Sequence, residues 1–121
     1  MANIIPFAFR GELLSGTHNF ANGGNSFKIA LYTSFAAYST SSTVYLTTNE
    51  VSASNTGYTT GGKVLAGQAV VSTGAVATVD FTDSTLTSAT FTANSAAIYN
   101  DTNSDKLCVV LDFGGNKTAT N

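Results

Sequence analysis

From residue 27 onward, apolar and polar side chains alternate with a period of two. Phe27, Ile29 and Leu31 take turns with Lys28, Ala30 and Tyr32, the pattern of a half-buried strand. Leu107, Val109, Leu111 and Phe113 alternate with Cys108, Val110 and Asp112. That spacing predicts a central strand whose four apolar residues line one face and dominate the core, since a side-chain period of two ties face to register. Val44, Leu46 and Thr48 are set against Thr43, Tyr45 and Thr47 in a further strand. Gln68 to Ser72 and Ala75 to Phe81 flank Thr73-Gly74, which reads as a hairpin turn. Leu86 to Phe91 and Ala96 to Tyr99 form a long strand or a broken pair, and Asp101 to Asp105 is a polar turn. One helix is predicted, over residues 6–16. Pro6 suits a first helical position, Phe7, Leu13 and Leu14 give a rough apolar stripe with Phe9 off it, and Gly16 is a natural stop.

Short strands at regular turn spacing predict an all-β fold: an antiparallel β-sandwich, or a barrel-like sheet, with a short N-terminal helix. The 121 residues make one domain, with an N-terminal arm and helix to about residue 16 and a polar tail over about 114–121. The tail reads either as solvated chain or as an arm that orders against a neighbour.

Charge changes the picture more than any motif does. Only 10% of the residues are charged, against about 25% in an average soluble domain. The formal net charge is −2 and the pI about 4.9. Charge keeps free monomers apart, so a chain this poor in it is weakly defended against association. The five basic residues Arg10, Lys28, Lys63, Lys106 and Lys117 are scattered, which argues against a nucleic-acid partner. No apolar run approaches a membrane span, and the first residues lack the basic and apolar regions of a signal peptide.

Candidate chemistry is thin. One His and one Cys exclude an internal disulfide and most zinc sites, and no metal or cofactor is expected. Asp101-Thr102-Asn103-Ser104-Asp105 starts like a calcium loop but lacks the later Gly and Glu, so a polar turn is the reading. Asp80, Asp83 and Glu50 are not marked as a matched acid–base pair. His18 reads as a packed histidine bonded to backbone, and Cys108 as a small core hydrophobe. Five Tyr without Trp are either strand content or a sugar-stacking platform. The glycines of Tyr58-Thr59-Thr60-Gly61-Gly62-Lys63 lack P-loop spacing and read as a bend needing positive φ.

Several segments together carry a resemblance. Glu12-Leu13-Leu14-Ser15-Gly16-Thr17-His18-Asn19-Phe20 leads into Phe27-Lys28-Ile29-Ala30-Leu31-Tyr32-Thr33. Asn49-Glu50-Val51, Gly57-Tyr58-Thr59-Thr60-Gly61-Gly62-Lys63-Val64-Leu65, Asp80-Phe81, Ala97-Ile98-Tyr99-Asn100 and Leu111-Asp112-Phe113-Gly114 follow. In this combination the chain resembles small virion structural proteins of tailed bacteriophages. The resemblance implies a non-enzymatic, multi-copy part of a phage particle, made in the host bacterial cytoplasm and ending in the virion.

The expectation is then a head decoration, or cement, protein held on the capsid by repeated protein–protein contacts. The implied partners are other virion proteins, above all the major capsid protein, and further copies of the chain. The alternatives are a tail component (tube, adaptor or fibre module) and, from a different class, a host-surface carbohydrate-binding module. Candidate contact residues are the apolar Ile4, Ile5, Phe7 and Phe9 of the N-terminal arm, with Asn116 and Lys117 of the tail. The same apolar residues could instead fill the domain's own core.

Overall fold

The computed structural model describes residues 3–120. In chain order it contains α1 (Phe7–Leu14), β1 (Phe27–Tyr32), β2 (Lys63–Val64), β3 (Ala69–Thr73), β4 (Val76–Asp80), β5 (Phe91–Asn100) and β6 (Lys106–Ala119). All strand pairs are antiparallel: a four-stranded sheet in the order β2-β1-β5-β6, and a separate two-stranded sheet, β3-β4. The all-β architecture with one short N-terminal helix is therefore as the sequence reads. No helix among the described residues is long and apolar enough to cross a membrane.

The centre of the main sheet is built from small residues. Ala30 on β1 and Ser95, Ala96 and Ala97 on β5 are fully buried. Small side chains let rings lie close to the sheet, and aromatic residues from irregular segments do so on both faces. On one face Phe35, Tyr38, Tyr45 and Leu46 cover Ala30, Tyr32, Ala97, Tyr99, Leu107 and Val110. On the other, Phe9 and Phe20 join Phe27, Ile29, Ile98, Cys108 and Phe81. Phe20 and Phe27 stack there with ring centroids 4.3 Å apart. A third cluster gathers Val51, Tyr58 and Ala93 with Leu31, Phe91 and Phe113.

Several sequence expectations are corrected. Leu107, Val109, Leu111 and Phe113 do not share one face. The β5–β6 ladder pairs Tyr99 with Leu107 but Ile98 with Val109, leaving Cys108 as an extra residue in the strand. A bulge of this kind shifts the alternation by one position. Leu107 and Val110 thus enter one cluster, Cys108 the opposite one, and Phe113 the third. Residues 43–48 form no strand; Val44 makes an isolated bridge to Lys106. The hairpin turn falls at Gly74-Ala75, one residue later than expected. Of the two segments expected over 86–99, only the part from Phe91 onward is strand, within β5; residues 86–90 lie outside it, with Thr90 in an isolated bridge to Thr56. Residues 114–119 are not a tail: they continue β6, where Lys117, Thr118 and Ala119 pair with Ala93, Thr92 and Phe91.

The helix spans 7–14 rather than 6–16, with Pro6 as its N-cap and Gly16 just beyond it at φ 76°. Its inner stripe is Phe9 and Leu13, spaced i and i+4, both facing an apolar recess. Phe7, Arg10 and Leu14, spaced i, i+3 and i+7, lie outside that stripe, and the Arg10 guanidinium sits 5.7 Å over the Phe7 ring. Phe9, which the sequence pattern leaves off the stripe, is the residue that docks the helix.

Candidate functional site

Three constellations stand out: two polar and one apolar. The first centres on Glu50, in the 33–62 segment that joins β1 to β2. Such a long stretch without strands needs partners for its backbone groups. Tyrosine hydroxyls supply many of them. Tyr32 donates to the Leu46 carbonyl at 2.7 Å, Tyr38 accepts from the Leu46 amide at 2.9 Å, and the two hydroxyls meet at 2.7 Å. The single hydroxyl proton of Tyr32 goes to Leu46, so Tyr38 donates to Tyr32.

Glu50 then ties the segment together. Its carboxylate accepts from the Tyr58 hydroxyl at 2.5 Å, from the Gly61 amide at 2.8 Å and from the Tyr45 hydroxyl. Tyr58 in turn accepts from the Leu31 amide at 3.0 Å, which fixes the cluster to β1. Tyr99 donates to the Gly61 carbonyl and stacks on Tyr45, with ring centroids 4.5 Å apart. All five tyrosines of the chain belong to this network. Burial pushes the hydroxyls of Tyr32, Tyr38, Tyr45, Tyr58 and Tyr99 above the ordinary tyrosine range; a hydrogen bond to Tyr38 adds to this at Tyr32, bonds to Glu50 at Tyr45 and Tyr58, and the charge of Asp105 at Tyr99. Four of the rings, those of Tyr32, Tyr38, Tyr58 and Tyr99, are buried, so they offer no stacking platform for a sugar. Gly62 closes the bend at φ 84°, and a Cβ there would lie 1.9 Å from the Ile29 carbonyl oxygen. The glycine pair of this segment is thus used for a bend, as the sequence suggests.

The second constellation holds His18. It is buried and bonded to side chains rather than, as the sequence suggests, to backbone. Its Nε2 lies 2.9 Å from Glu12 Oε1 and its Nδ1 3.0 Å from Asn100 Nδ2. The Asn100 oxygen accepts from the Thr102 and Asn103 amides, so its nitrogen is the end that faces the ring. Nδ1 is therefore an acceptor, and the ring proton sits on Nε2, donated to Glu12. Cys108 Sγ approaches the same Nδ1 at 3.8 Å. The order Cys–His–Glu matches that of a nucleophile, base and orienting acid. Two facts oppose that use: the Asn100 amide already occupies the base nitrogen, and burial pushes the Cys108 thiol up to about 12, with the charge of Glu12 adding to it. A reactive cysteine needs the opposite shift. The cluster clamps the end of α1 to the β5–β6 turn, aided by Lys106 at 3.4 Å from Glu12. Asp80 lies apart from both clusters, at the exposed end of β4. Among the described residues no group of three or more His, Cys, Asp or Glu could hold a metal ion.

The third constellation is apolar and lies on the surface. Every residue of β3 and β4 is exposed. Among the described residues, eight of the ten large hydrophobic residues left exposed lie on this hairpin or on and beside α1: Val70, Val71, Val76 and Val79, with Ile5, Phe7, Leu13 and Leu14. The two groups meet across an open apolar recess of 390 Å³, with Phe9 and Leu13 on one side, Val79 and Phe81 on the other, and Cys108 and Val109 at the sheet.

The expected contact residues divide accordingly. Ile4 is part of the fold: it exchanges two backbone hydrogen bonds with Val110, at 2.8 and 2.9 Å. Phe9 packs in the core, 5.0 Å from the His18 ring. Ile5 and Phe7 are exposed. Asn116 and Lys117 are exposed too, on β6 rather than on a free tail. Sequence reasoning missed the exposed valines of the hairpin. Their signal was present: both hairpin strands are rich in valine on alternating faces, and Asp80 is their only charge.

Compared with protein-family models, curated proteins and solved structures, the chain matches none of them.

Proposed function

We propose that this chain is a non-enzymatic structural protein of a tailed bacteriophage particle, a decoration protein bound in many copies to the capsid. The observation that carries the reading is the unguarded hairpin. Its ten strand residues are all exposed and include four valines and a single charge, Asp80. Isolated proteins blunt such edges with lysines, prolines or a covering element. An edge left open suits a chain whose working state is against other subunits. The exposed residues that are not apolar are largely Ser and Thr, which cost far less to desolvate than charges do. Contacts of moderate area, repeated over a closed shell, then hold by avidity. The motif resemblance to phage virion proteins supports the same reading, and the raised thiol of Cys108 favours a structural role over a catalytic one.

The test is binding to particles that lack the protein. The purified chain should co-sediment with capsids to a saturating stoichiometry. A chain that never co-sediments contradicts the proposal.

A further inference from the structure

The outer faces of the hairpin and of α1 are complementary to each other. In the β3–β4 ladder Asp80 pairs with Ala69, Thr78 with Val71 and Val76 with Thr73. Cross-strand partners share a face. Val79 lines the recess, so its partner Val70 shares that inner face, and Val71, Val76 and Asp80 lie on the outer one. The outer stripe of α1 carries Phe7, Leu14 and Arg10. Each surface is therefore two large apolar residues and one charge, of opposite sign. Leu14 is 93% exposed, and α1 buries none of its residues completely. Neither Arg10 nor Asp80 is in an ion pair among the described residues.

We infer that these two faces bind a second copy of this chain. The outer face of one copy's hairpin covers α1 of the other, with Asp80 against Arg10. Each such contact carries one Arg–Asp pair at its rim. This inference does not rest on the virion reading: it concerns the free chain and needs no particle.

Charge reversal tests it. Arg10→Asp and Asp80→Arg are surface changes, and near-native melting temperatures would show that both variants fold. Sedimentation velocity over a concentration series reads the dimer constant. The unmodified chain should dimerise. Each single reversal should weaken the dimer about tenfold or more, since like charges then meet, and the double reversal should restore it. Leu14→Ser, at a side chain almost wholly in solvent, should weaken it without touching the fold. Association that is indifferent to all three changes overturns the inference, as does a chain that stays monomeric throughout. Reversals that impair capsid binding without any self-association would assign the surface to the capsid instead.

Discussion

Tyr58 donates its hydroxyl proton to Glu50, eight residues earlier, at 2.5 Å, and both residues lie in a segment with no regular secondary structure. This bond and its neighbours give the 33–62 segment the internal order that a strand ladder gives elsewhere. Glu50→Gln should therefore destabilise the fold. Glutamine keeps one acceptor oxygen where the carboxylate uses two, and a hydrogen bond to a charged group contributes about 1.5–3 kcal/mol. Urea denaturation should show a loss of about that size. An unchanged midpoint would mean that the network is decoration on a segment held by its apolar contacts.

Alkali should unfold the protein through the same cluster. The fold raises the tyrosine hydroxyls above their ordinary value near 10. Below pH about 10 folded and unfolded chains hold the same phenolic protons. Above it the unfolded chain loses them first, so stability falls as pH rises, by about 1.4 kcal/mol per pH unit for each phenol still protonated in the fold. Cys108, held up to about 12, begins the same loss above its ordinary value near 9. Tyrosinate absorbance should thus rise together with the loss of β-sheet circular dichroism. Stepwise ionisation near pH 10 in a chain that remains folded contradicts this.

The bulge at Cys108 predicts an order among core substitutions. Leu107 is almost wholly buried and Leu111 only half-buried. Leu107→Ala should cost about 2–5 kcal/mol and Leu111→Ala clearly less. Equal losses, measured by thermal or urea unfolding, would restore the simple one-face alternation.

Gly62 is the tightest backbone approach in the bend behind Glu50. Gly62→Ala combines a strained positive φ with a clash against the Ile29 carbonyl, so the loss should exceed the roughly 1 kcal/mol typical of such swaps. Gly74→Ala, also at positive φ but with open space around it, should cost less. A larger loss at Gly74 than at Gly62 in thermal melts would contradict the role given to that contact.

What the sequence disclosed followed from local pattern. The strand at 27–32 and the turn at 101–105 are where alternation and turn chemistry place them, because both are set by near neighbours. The bulge at Cys108 was not legible: Leu107 to Phe113 alternates without a break, and only pairing with β5 selects the extra residue. The same holds for 43–48, whose strand-like pattern is overridden by Tyr32 and Tyr38 capturing the backbone of Leu46. Of the candidate contact residues, Ile5 and Phe7 are exposed. Ile4 and Phe9 were not distinguishable from them, since exposure depends on what β6 and His18 present from far along the chain. The acceptor role of Glu50 was hidden for a similar reason: Tyr45, Tyr58 and Gly61 converge on it only after the segment has folded back on β1.

The central claim, a structural protein distributed over a phage capsid, is tested most directly by electron cryomicroscopy of the intact particle that carries it. The account predicts density of this fold repeating with the capsid lattice on the outer surface, with the β3–β4 hairpin or α1 at a subunit contact. Density confined to the tail, or a particle without it, would contradict the account.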